Sequence, residues 1–204
     1  MDSNITTSLK LHNTILSDYS YQLSPFNAEL LKVSQYLTQA ILLEVSTHPK
    51  PGLVTRNSNG SHTDMTIFTF MMSSAVLSKA FYELQEIGCA HDGPVKELFF
   101  KVRNYGVEVE KELLDVTKGV NTQRGILFAG GILSAAAGFA CRQNIETNQI
   151  LEVVKEMTEG LVEQELRSIK HEPKTYGEKL FREYGITGIR GEVEAGFPCV
   201  VNYG

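Results

Sequence analysis

The sequence contains no tryptophan, and aromatic residues make up only 9% of its 204 positions. Cysteine is scarce too. Cys89, Cys141 and Cys199 are odd in number, far apart, and show no CxxC or Cys/His spacing. This excludes a disulfide scaffold and an ordinary zinc module, and predicts a reducing, cytoplasmic setting. An excess of positive charge is also missing: 19 basic against 24 acidic residues give −5, with no basic block. Nucleic-acid binding normally needs a basic face, so no nucleic-acid partner is expected. The polar stretch Met1 to Lys10 has no apolar signal-peptide core. Long hydrophobic runs are rare. Gly125 to Cys141 alone lacks charge over a comparable length, but it is short for a membrane span and carries four glycines. It reads as a buried central helix, and no membrane partner is expected.

Apolar residues at 42% and charged residues at 21% are ordinary for a globular chain. The length suits one domain that buries about 70% of its unfolded surface. Residues 1–23 read as a loosely held tail, and 24–204 as a single helical domain. Ser24-Pro25 is a helix-start pair, and Phe26, Leu30, Val33, Leu37, Ala40 and Ile41 continue at helical spacing to about Val45. After an irregular stretch, Ser46 to Thr63, a second helix is predicted from Asp64 to Ile87. A third follows Asp92-Gly93-Pro94 and ends at Gly119. The fourth is Gly125 to Cys141. A fifth carries Ile150, Val153, Val154, Met157, Leu161 and Ile169 and stops before Pro173. Thr175 and Glu178 form a capping-box pattern that opens a short helix ending at Gly185. Ile186 to Gly204 reads as irregular. The prediction is an all-α antiparallel bundle of about five main helices plus a short C-terminal helix. Antiparallel alternation puts the loops after helices one, three and five at one end, with Asp64, Asn121 and Arg190 around one cleft there. Asp92 and Gln143 fall at the other end.

Four segments at that shared end carry unusual chemistry. In Glu44 to Val54, Pro49 and Pro51 stiffen the chain around Lys50, which suits either a rigid helix exit or an anion grip. In Asn59-Gly-Ser-His62-Thr-Asp64, Asp64 is either a helix cap or a Mg²⁺ ligand or general base beside His62. Gly119 to Gly125 reads either as a C-cap Gly followed by a Thr N-cap, or as a phosphate cradle of Lys118, Arg124 and backbone N–H groups at the start of the fourth helix. In Gly185 to Pro198, Arg190 and Glu192 stand between glycines that let backbone approach a ligand. Lys50, Arg56, Arg124 and Arg190 set against Glu44, Asp64 and Glu192 suggest a metal–polyphosphate ligand. The residues alone give no reaction.

The strings EVSTHPKPGLV, NGSHTDM, GVNTQRGILFAGGILSAAAG and YGITGIRGEVEAGFP, in this order from about Glu29 to Pro198, resemble the triphosphoribosyl-dephospho-coenzyme A synthase family. The resemblance implies an all-helical transferase with ATP and 3′-dephospho-coenzyme A as substrates. It would displace adenine and join the triphosphoribosyl unit to a ribose hydroxyl. The product would be the prosthetic-group precursor of citrate lyase or malonate decarboxylase. It further implies Mg²⁺ with the ATP. Asp64 and Glu44 are then candidates for metal or base roles, with Glu192 a further catalytic carboxylate. Lys50, Arg56, Asn59, His62, Asn121, Thr122, Arg124, Gly125 and Arg190 are candidates for substrate and phosphate binding. Two departures stand out. The family's Asn-Thr-His-Lys-Gly is here Asn121-Thr122-Gln123-Arg124-Gly125, which removes a titratable group and changes the geometry of a cation. Members also continue past Gly-Phe-Pro with further helices, so the family's last helices are expected to lie outside this chain. The alternative reading is an inactive nucleotide or coenzyme A binding module of the same fold. A helical interaction domain ranks below both, and a homo-oligomer is compatible with each.

Overall fold

The computed structural model describes Glu29, residues 32–169 and residues 171–204. The predicted tail and the Ser24-Pro25 helix start lie outside the described residues. Among those described, the structure is all-α, with a single isolated bridge between Thr55 and Ser58 in place of any sheet.

Four long helices build the core: α1 (Val33–Ser46), α2 (Ile67–Cys89), α3 (Val95–Val116) and α4 (Arg124–Arg142). Side-chain pairs fix their directions. Ser34 donates its backbone N–H to Gln85 while Val45 packs beside Ile67, so α1 and α2 are antiparallel. Tyr105 bonds Glu83 and Glu112 pairs with Lys79, so α2 and α3 are antiparallel too. Ser73 meets Gln123 and the Cys89 carbonyl accepts from Arg142, so α2 and α4 run parallel. The predicted alternation holds for these four helices, whereas Glu159, midway along the predicted fifth, pairs with Lys96 at the start of α3. The loops 47–66 and 117–123 share one end, where Val120 packs against Val45, Val54 and Met65.

α4 is the centre of the molecule. Ser134, Ala135, Ala136, Ala137 and Ala140 are fully buried. Small residues there bring backbones into contact. A Cβ on Gly138 would overlap the Gln85 carbonyl, and one on Gly88 would overlap the Ala135 carbonyl. α4 has the length and mean hydropathy of a membrane span, but 72% of that window is buried inside the protein, as a core helix requires.

Several element bounds differ from the prediction, each for a local reason. α2 begins at Ile67 rather than Asp64, because Thr66 and Thr69 form the capping box and Asp64 is no cap. The N-cap of α4 is Gln123 rather than Thr122. The predicted fifth helix is broken. A 3₁₀ turn (Thr147–Gln149) leads into α5 (Ile150–Met157), and the chain then turns at Thr158 to Gly160. The Thr158 hydroxyl bonds back to the Val154 carbonyl at 2.8 Å, and Gly160 takes φ +82°. The Glu194 carboxylate caps the restart, accepting the N–H groups of Gly160 and Val162 at 2.8 and 3.1 Å. A wide π-helical turn, Glu163–Arg167, follows. The capping box of Thr175 and Glu178 opens α6 (Tyr176–Tyr184), which ends at left-handed Gly185, as predicted.

The segment expected to be irregular instead holds α7 (Gly188–Glu194) and α8 (Pro198–Tyr203). Both are too short for a periodicity signal. Burial of Val193 and Phe197 in the main core secures them.

Candidate active site

A cleft of about 570 Å³ opens between α3, the start of α4, the π-turn and the starts of α6 and α7. Asn121, Thr122, Arg124, Gly125 and Arg190 line it, so two of the four sequence motifs meet there. Its lower wall is apolar, with Phe99, Val102, Phe128 and Ile132. Its polar groups are arranged as Arg–Glu contacts. Arg124 Nε lies 2.9 Å from Glu110 Oε1. Deeper in, Arg190 Nε donates to Glu165 Oε2 at 2.7 Å, and Arg103 contacts the other oxygen, Oε1. Three guanidiniums thus face two carboxylates, a net excess of one positive charge. Burial, and then the like charge of Arg190, hold the Arg103 pKa below its ordinary value.

Arg103, Glu110 and Glu165 were not legible as site residues in the sequence. The available signal was Gly106. It sits in mid-helix between Arg103 and Glu110, where glycine costs about 1 kcal/mol relative to alanine. Nothing lies within 4 Å of where its Cβ would stand, and it lines the cleft. No packing need accounts for it; its missing side chain leaves cleft volume.

The other two motifs lie apart from this lining. Lys50 Nζ donates to the Glu44 carboxylate and to the Glu44 backbone carbonyl, at 2.6 and 2.7 Å. Arg56 donates to the Ser46 carbonyl at 3.2 Å. Both cations therefore serve the C-terminal carbonyls of α1, where the helix dipole favours positive charge. Asn59 is exposed and its carbonyl accepts the His62 N–H. His62 Nδ1 sits 3.3 Å from Asp64 Oδ1. Asp64 lies at the same end as Asn121 but does not line the cleft with it. Glu192 faces α8, accepting the Cys199 N–H at 3.1 Å and the Cys199 thiol at 2.9 Å. Gln123, where the family's usual pattern has His, is buried and turned away, accepting from the Ser73 and Ser74 hydroxyls.

Metal fit follows from the donor set. Among the described residues no three His, Cys, Asp or Glu gather as a cage. Mg²⁺ is commonly held by one or two carboxylates plus substrate phosphates and waters. Both cleft carboxylates, Glu110 and Glu165, face guanidiniums, while Asp64 stands exposed beside His62 outside the cleft.

The family model described as ATP:dephospho-CoA triphosphoribosyl transferase (CitG) matches residues 31–204. The chain belongs to this family. A Malonomonas rubra protein named as a probable 2-(5''-triphosphoribosyl)-3'-dephosphocoenzyme-A synthase is 41% identical over 192 residues, covering 92% of this chain and 60% of its own length. The synthase of that name from Pectobacterium atrosepticum is 35% identical over 199 residues, covering 96% and 64% respectively. Protein CitXG of Leuconostoc mesenteroides subsp. cremoris is 39% identical over 194 residues, covering 90% and 41%. The chain thus spans less than two thirds of the length of these relatives. No solved structure matches it. Of the four strings, those around Asn121 and Arg190 are the ones the fold brings together in the cleft.

Proposed function

We propose that the protein is a cytoplasmic transferase that joins the triphosphoribosyl unit of ATP to 3′-dephospho-coenzyme A and releases adenine. The product would be the prosthetic-group precursor of citrate lyase or malonate decarboxylase. The observation that carries this reading is the cleft in which Asn121, Arg124 and Arg190 converge on a net positive charge. Guanidiniums in fixed positions suit the retained triphosphate, whose oxygens accept paired N–H bonds. The N-terminal turn of α4 adds backbone N–H groups beside Arg124 and Gly125.

In the reaction, the ribose C1′–N9 bond to adenine breaks and a bond from C1′ to the attacking hydroxyl oxygen forms. The hydroxyl proton passes to a base and adenine leaves carrying one. Loss of adenine leaves an oxocarbenium-like ribose that a carboxylate stabilises, as in glycoside cleavage. A second carboxylate serves as base. We assign the base role to Asp64, at the same end as Asn121; Glu44, held by Lys50, and Glu192, held by Cys199, would serve only on leaving those partners. Mg²⁺, where bound, would neutralise triphosphate charge, and Asp64, exposed beside His62, is the carboxylate open to it; Glu44 would have to leave Lys50 to join. Lys50, Arg56, Asn59 and His62 would meet the substrate from the same end.

Calorimetry with Mg·ATP, followed by an adenine-release assay with 3′-dephospho-coenzyme A, tests the proposal. Binding with release is the expected result. Binding without release would make the protein a nucleotide-binding module, and neither would remove the nucleotide reading.

A further inference from the structure

Arg103 and Arg190 stand 87 positions apart in the sequence and reach the cleft from different helices. They converge on opposite oxygens of one carboxylate, Glu165, whose side chain is 14% exposed. One carboxylate carries half the charge of two guanidiniums, so their mutual repulsion is only partly offset, and burial weakens the screening that water would supply. Two forked donors with one anion between them form a seat that a phosphate group fits better than a carboxylate. Phosphate offers more oxygens and more charge to the same N–H groups. Glu165 rides on the π-turn Glu163–Arg167, a type of helical irregularity that recurs at functional sites. One turn along α3 from Arg103, Gly106 keeps the cleft wall open.

We propose that Glu165 is a displaceable placeholder, holding Arg103 and Arg190 as a paired seat that a phosphate of a polyphosphate ligand takes over. This rests on the cleft being the triphosphate site, and it adds Arg103 to the binding residues and gives Glu165 a competing role. Entry of the phosphate moves the carboxylate out of the seat toward water. No covalent bond changes. Because Glu165 competes with the ligand for the same two guanidiniums, removing its charge strengthens anion binding, whereas removing Arg103 weakens it.

The test is calorimetric titration of the full chain with inorganic tripolyphosphate, alongside thermal unfolding. Glu165→Gln is expected to bind tripolyphosphate about tenfold more tightly than the wild type, and Arg103→Gln about tenfold or more weakly, each a change of one charge-assisted contact. Unchanged or weaker binding by Glu165→Gln would overturn the placeholder and leave an ordinary structural ion pair. Should that variant fail to fold, Glu165→Asp keeps the charge but withdraws the carboxylate by one methylene. It must then tighten binding several-fold, and unchanged affinity overturns the proposal. Absence of adenine release, with these affinity changes intact, would count against the proposed reaction and not against the seat. Adenine release with tripolyphosphate affinity indifferent to Glu165 and Arg103 would do the reverse.

Discussion

Gly138 of α4 rests directly on the backbone of Gln85 in α2, with no room for a Cβ against the Gln85 carbonyl. A methyl group there must push two central helices apart. Gly138→Ala is therefore expected to destabilise the protein by about 1–3 kcal/mol or more, the range for overpacking a filled core. Urea unfolding measures it. A loss under about 0.5 kcal/mol, the level of a surface substitution, would show that α2 and α4 have slack between them.

Gly106 gives the opposite expectation from the same residue type. It lies inside α3, and a Cβ there meets nothing within 4 Å. Gly106→Ala should stabilise the protein by about 0.5–1 kcal/mol through helix propensity. It should also weaken Mg·ATP binding, because the methyl group enters the cleft. Stabilisation with unchanged affinity would mean that the ligand does not approach this turn of α3.

Arg124 pairs with Glu110 across the mouth of the cleft, and its side chain is 56% exposed. Such a pair contributes little to folding. Arg124→Ala should change stability by no more than about 0.5 kcal/mol and weaken Mg·ATP binding by about 1.5–3 kcal/mol, the contribution of a charge-assisted hydrogen bond. Calorimetry and thermal unfolding on the same sample read both. Lost stability with intact affinity would assign Arg124 to the scaffold.

Cys199 donates its thiol to Glu192, and that hydrogen bond, followed by burial and the carboxylate charge, raises the thiol pKa. Less thiolate is then present at pH 8, and the thiolate is the reactive form. Glu192→Gln removes the charge and lowers the thiol pKa, so alkylation of Cys199 should speed up. The same variant tests the carboxylate in catalysis. Faster alkylation with full adenine release would confine Glu192 to holding the start of α8.

The long helices were legible because their apolar residues recur at a single period, as in Val95, Leu98, Val102, Val109 and Leu113 of α3. Local chemistry was legible as well: the Thr175–Glu178 capping box and the left-handed Gly185 appear where the sequence puts them. What escaped depends on distant partners. The break after Met157 relies on Glu194, 34 positions beyond Gly160, and α8 relies on Glu192. The cleft divides in the same way. Asn121 and Arg190 were found as members of odd local strings. Arg103 and Glu165 sit in ordinary helical sequence, and only the fold makes them neighbours. Gln123 shows the converse: it stands inside a conspicuous string, yet its side chain anchors α4 to Ser73 and Ser74.

α7 is fastened to the segment after α5 at two points, by Glu194 on the Gly160 and Val162 amides and by Arg190 on Glu165. The first fastening is structural and the second lies in the cleft, one helical turn away. Residues 160–165 and 190–194 therefore form one unit of inheritance. A substitution that shortens or re-aims either strip shifts the guanidinium in the cleft along with the cap that restarts the helix after its break. Variation in either strip acts on the cap and on the cleft pair at once, so its repair is expected from the facing strip.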